Sequence, residues 1–185
     1  MNTEMQTTDL SQYIKYVMES VEMSVPLREV HDGINMSYNF IGKYIGFDPE
    51  RLPDSHTELA PFCSFETYVQ VMTLHELGHV IDHAALQDSL TKTISIFTMK
   101  KSHELHEILS KPELFKLLIE ENEMNMAFEI TAWDNATLLN ERFQLVEAEC
   151  FNAIRKNSLA TYERLYETDL TRYHSLLSKK SMPTA

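Results

Sequence analysis

Apolar positions recur at helical spacing along most of the chain. Leu10, Tyr13, Ile14, Val17, Met18 and Val21 lie three or four apart. They predict an amphipathic helix over 9–24, with Asp9 as its cap. Between 26 and 61 the period is broken by Gly33, Gly42, Gly46, Pro49, Pro53 and Pro61. That stretch predicts loops, short helical pieces and a short hairpin, with Tyr38–Ile41 and Tyr44–Phe47 as strand candidates. From Ser64 the helical pattern returns. Ser64 suits an N-cap and Glu66 a first turn, and no proline follows before Pro112. Helices are expected over 65–87 and 90–110. Pro112 suits the first turn of a third helix, to about 140. One or two more are expected to about 179, and the residues through Ala185 should fray.

Composition narrows the fold class. The 185 residues are 43% apolar and 24% charged, the balance of a folded protein that can bury its own core. Only 4 glycines and 6 prolines disfavour a turn-rich β sandwich or barrel. The expected fold is mainly α: one domain over 1–185, a helical bundle with at most a small antiparallel β-sheet. Residues 1–63 would form an N-terminal helix and an irregular, short-strand region, and 64–180 the helical part that carries the chemistry.

The formal charge of −12 repels phosphate backbones and argues against a nucleic-acid partner. No stretch approaches the ~20 apolar residues of a membrane span, and the first residues carry no secretion signal, so the cytoplasm is the expected compartment. Cys63 and Cys150 read as buried thiols in a reducing environment.

One motif points to chemistry. His75-Glu76-Leu77-Gly78-His79 is an H-E-x-x-H sequence inside the Ser64 helix. Residues four apart share a helix face, so two imidazoles can hold one zinc ion through ring nitrogens. Glu76, beside the first ligand, is placed to take a proton from an activated water. The neighbours Val69, Val71, Met72, Leu74, Leu77, Val80 and Ile81 make the helix apolar nearly all round, and buried paired histidines need a reason. Gly78 reads as room for another element beside the site.

A catalytic zinc site takes three protein ligands and leaves a fourth position to water. Glu129 is the first choice for the third. Ala132 and Ala136 follow it on the same helix side, and a carboxylate on a small-residue face points inward, where it needs a cation. Glu123, Glu120 and Asp134 are rivals on that helix, with His83 and then Glu147 and Glu149 elsewhere. His83 is eight residues beyond His75, too far for a straight helix to bring to the same ion, and reads as a residue at the rim. Asp82 is placed to orient a ligand imidazole by accepting its second N–H. Trp133 reads as core packing beside the site.

The segment Leu74–His83, with Glu129-x-x-Ala132-Trp133-x-x-Ala136-x-x-Leu139, resembles the ImmA/IrrE-like metallopeptidases, a gluzincin-type family of bacteria and their mobile elements. The resemblance implies a zincin-like domain with one zinc ion per chain. It also implies metal ligands His75, His79 and Glu129, Glu76 as catalytic base, and a protein or peptide substrate such as a phage or mobile-element regulator. The chain departs from that family in a long spacing from His79 to Glu129 and in lacking a helix-turn-helix segment. Toxin-type zincins share the first motif, Asp82 included. The alternative function is a helical regulator that keeps a metal without catalysis and binds a protein partner. His103 and His106 sit in a polar stretch and read as solvated. Among Tyr162, Tyr166 and Tyr173, one could stabilise an oxyanion, though packing or surface roles are the default reading.

Overall fold

The computed structural model describes residues 7–180, with side chains from 10 to 178. The side chain of Asp9, expected as a cap, and the tail through Ala185 lie outside the described residues. The elements are α1 (Thr7–Ser20), β1 (Leu27–Glu29), β2 (Met36–Asn39), β3 (Tyr44–Phe47), α2 (Arg51–Leu59), α3 (Phe65–Ile81), α4 (His83–Asp88), α5 (Leu90–Ser102), α6 (Leu105–Ser110), α7 (Pro112–Phe143) and α8 (Ala148–Lys180). The fold is mainly α with one small sheet, as the residue pattern indicates.

The sheet is mixed, not purely antiparallel. Its order is β1-β3-β2. β2 runs antiparallel to β3, with Met36 opposite Phe47 and Tyr38 opposite Ile45, while β1 runs parallel to β3. β1 escapes a sequence reading because it is three residues long and mostly exposed, so it shows no alternation. β2 sits two residues earlier than expected because Asn39 Oδ1 accepts the Gly42 N–H at 2.7 Å and starts the turn there.

α3 is the central element. Ser64 caps it by accepting the Thr67 N–H at 3.1 Å, and every residue from Val71 to Gly78 is buried. Around it lie Leu10, Ile14 and Met18 of α1, Ile45 and Phe47 of β3, Trp133 and Ala136 of α7, and Phe151 and Ile154 of α8, in one apolar core. A second, smaller cluster joins α5, α6 and the start of α7 through Ile96, Met99, Ile108 and Leu117.

Two expected helices are each broken in two. The first stops at Asp82, whose backbone leaves the helix at φ −87°, ψ 16°. Its carboxylate accepts the Thr131 hydroxyl at 2.9 Å, a tie to α7 that local periodicity cannot reveal. The second breaks at His103 and Glu104, where Glu104 and Glu107 form a capping box that opens α6. α7 ends at Gln144 with φ 52°. Asn140 then clamps the turn into α8, its side chain bonding both the N–H and the C=O of Val146.

Cys63 and Cys150 are joined as a disulfide across 87 residues, which corrects the expectation of two separate thiols. The bond ties the loop before α3 to the first turn of α8. Among the described residues, no helix is long and apolar enough to cross a membrane.

Candidate metal centre

α3 and α7 run antiparallel and unusually close. Asn135 Nδ2 donates to the Gly78 carbonyl at 3.1 Å, and Thr131 reaches Asp82 at the other end of the contact. Gly78 permits this approach. A Cβ there would strike the Ala132 carbonyl, lying 2.8 Å from its carbon. Glycine in a helix interior costs about 1 kcal/mol relative to alanine, and here the return is backbone-to-backbone packing.

That packing brings three potential ligands together. His75 Nε2 lies 3.1 Å from Glu129 Oε2, and His79 Nε2 lies 3.4 Å from Glu129 Oε1. One donor atom from each of the three residues falls within a span of 4.8 Å. Tetrahedral ligands about 2.0–2.2 Å from one ion are roughly 3.4 Å apart, close to the two imidazole-to-carboxylate distances. Glu129 Oε2 is buried and accepts no well-aligned hydrogen bond, and His75 Nδ1 is likewise without a partner. A buried carboxylate oxygen beside two imidazole nitrogens, short of a hydrogen bond, fits a cation. Two nitrogens and one oxygen are also a donor set that zinc accepts.

Trp133 is fully buried and stacks on the His75 ring, with centroids 4.3 Å apart and planes 23° apart. It fixes the imidazole plane by contact alone. Trp133 also meets Phe151 of α8 edge-on.

Glu76 is 3% exposed, with one carboxylate oxygen 4.0 Å from His75 Nε2. Burial raises its pKa, against the opposing charges of His75 and His79 and a bond from the Tyr38 backbone N–H. Burial also pushes Glu129 up, but the close polar contact and charge of the two imidazoles outweigh it and hold this carboxyl at about 2. Burial lowers His79, yet Glu129 and Glu76 leave its pKa raised overall. The cluster therefore pairs an ionised carboxylate with two imidazoles, and sets beside them a carboxylate that binds protons more readily than usual.

Tyr162 of α8 lines the same cavity. Burial raises its pKa, as do the charge of Glu129 and a bond to that carboxylate; the phenol thus stays protonated and able to donate. Two contributions were not foreseen from sequence. The first is the Tyr38 N–H at Glu76, which depends on how the sheet docks onto α3. The second is Phe128, whose ring lines the cavity one residue before Glu129.

The other candidates lie elsewhere. His83 leaves the α3 face at the Asp82 break, and its Nδ1 meets the Tyr38 hydroxyl at 3.0 Å. Asp82 takes Thr131 instead of an imidazole N–H. Glu123 accepts from Tyr166, Glu120 pairs with Lys92, and Asp134 pairs with Arg155. Glu147 and Glu149 line a separate groove beside the disulfide. His103 faces Glu107, His106 is exposed, and Tyr173 packs on Phe115. Compared with known proteins, the chain matches no family model, no curated protein and no solved structure.

Proposed function

We propose that the chain is a zinc-dependent peptidase that hydrolyses a peptide bond of a protein substrate. The observation that carries this reading is the convergence of His75, His79 and Glu129 from two helices, with the Glu76 carboxylate beside them. The likeness of its two motifs to the ImmA/IrrE-like metallopeptidases supports the same reading. Zinc bound by these three residues would polarise a carbonyl and make water acidic enough to ionise near neutral pH.

The chain's own residues do the rest. Glu76 takes the proton of the attacking water at its carboxylate and can return it to the leaving amine; its raised proton affinity suits both roles. The Tyr38 N–H anchors that carboxylate. Tyr162, protonated and facing the cavity, donates its O–H to the carbonyl oxygen as charge develops there. β2 is an edge strand of the sheet and lines the cavity through Met36 to Tyr38, so an extended peptide can lie along its backbone groups other than the Tyr38 N–H held by Glu76. Among the described residues no fourth His, Cys, Asp or Glu joins the ligand group, which favours catalysis over a closed structural plug.

The test is a paired measurement on purified protein. Metal content by mass spectrometry should give one zinc per chain, lost in His75→Ala and in Glu129→Ala. Glu76→Gln should keep the zinc and lose peptide hydrolysis by about 10²–10⁴-fold. A protein that takes up no metal when zinc is supplied would end this reading. A zinc-loaded parent no faster than Glu76→Gln would leave the metal-bearing regulator instead.

A further inference from the structure

The cavity beside the ligand group has a volume of about 470 Å³. The chain carries 44 Lys, Arg, Asp and Glu residues, yet Glu76 and Glu129 are the only ones of these on the cavity wall among the described residues. Both already face imidazoles. The rest of the wall is apolar or neutral.

The apolar groups fall at two ends. Asn35 Nδ2 donates to the Tyr68 hydroxyl at 2.8 Å, and the Tyr38 hydroxyl meets His83. β2 thus follows α3 in the same direction, and the cavity follows both. At the Tyr68 end lie Leu59 and Met72, with Ile34 on the rim and 51% exposed. At the His83 end lie Phe40, Leu86 and Phe128. The potential ligands and Glu76 sit between the two.

We propose that this cleft takes an extended peptide carrying large uncharged, apolar side chains on both sides of the bond to be cut, and rejects charged side chains there. The inference rests on the peptidase reading. An apolar side chain seated against Leu59 and Met72, or against Leu86 and Phe128, leaves water and gains the free energy of burial. A charged one must shed its hydration with no free counter-charge to meet it. Specificity is then set mainly by exclusion, through neutral walls in a protein whose exterior is strongly acidic.

Three fluorescein-labelled Gly/Ser peptides with Leu–Leu, Asp–Asp or Lys–Lys at the centre test it. Their binding to the Glu76→Gln variant, supplied with zinc, is read by anisotropy at physiological ionic strength. Their cleavage by the parent is read by mass spectrometry. The Leu–Leu peptide should bind at least about tenfold more tightly than either charged one. Ile34→Lys, a change at an exposed rim position, should shrink its advantage over Asp–Asp by about threefold or more. Equal binding of the three, tighter binding of a charged peptide, no binding at all, or an unchanged ratio in Ile34→Lys would overturn the assignment. Selective binding of Leu–Leu without cleavage by the parent keeps the cleft assignment and removes the peptidase reading. Cleavage without selectivity does the reverse.

Discussion

At the scale of single residues, the site depends on a missing side chain as much as on those present. Gly78 lies three residues past His75 and one before His79, where the Ala132 backbone of α7 lies against α3. Gly78→Ala removes the helix penalty of glycine but places a methyl group against the Ala132 carbonyl. Two backbones must then part. The expected cost is about 2–3 kcal/mol or more in denaturant unfolding, and Glu129 should be carried out of register with weaker zinc binding. A variant as stable as the parent would show that the α3–α7 contact is looser than described. Tyr162 makes a separate prediction. Tyr162→Phe keeps the ring and removes one donor, so zinc content should be unchanged while kcat falls by about 10²–10³-fold. An unchanged kcat would reduce Tyr162 to a packing residue.

At the scale of elements, much of the helical architecture is legible in the sequence, because helices are specified locally by spacing, caps and proline. Ser64 and Pro112 mark true starts for this reason. What is not legible depends on contacts between distant segments. The break at Asp82 rests on Thr131, the docking of β1 rests on β3, and the Cys63–Cys150 bond rests on how α8 returns past α3. That bond closes a loop of 87 residues, and loss of a native disulfide typically costs about 2–5 kcal/mol. Cys150→Ser, or reductant on the parent, should lower the unfolding free energy by that amount; no change would mean the two sulfurs are not joined in solution.

Asp48 gives a pH-dependent test at the same scale. It holds the loop before β2 to the start of α2, accepting from the backbone N–H groups of Gly33, Glu50 and Arg51. Burial raises its pKa, but those bonds and nearby His31 outweigh it and leave the carboxyl below its ordinary value. A depressed folded-state pKa contributes stability that is present above the unfolded value of about 3.9 and lost as pH falls through the lower folded value. The Tm advantage of the parent over Asp48→Asn should therefore be full at neutral pH and shrink in acid. An advantage that persisted or grew in acid would contradict the hydrogen bonding described.

At the scale of the whole molecule, the candidate metal centre joins the two helices that organise the core. His75 and His79 lie inside the most buried stretch of α3, and Glu129 comes from α7, 54 and 50 residues after them. The motif makes the two histidines legible. The small-residue face of Ala132 and Ala136 points to the glutamate. Nothing local points to Tyr38, because its approach to Glu76 follows from the docking of the sheet. A ligand that binds only where these segments meet must stabilise the folded state through mass action. At a free zinc concentration about 100 times Kd the gain is about 2.7 kcal/mol, roughly 5–11 °C in Tm for a chain of this size. A chelator should lower the parent's Tm by several degrees, and added zinc should restore it. Glu129→Ala should show neither effect, because its remaining pair of imidazoles on α3 no longer ties α3 to α7. Equal Tm values for the parent with chelator and with zinc would mean that no ion joins the two helices. An undiminished zinc shift in Glu129→Ala would place the third ligand somewhere other than α7.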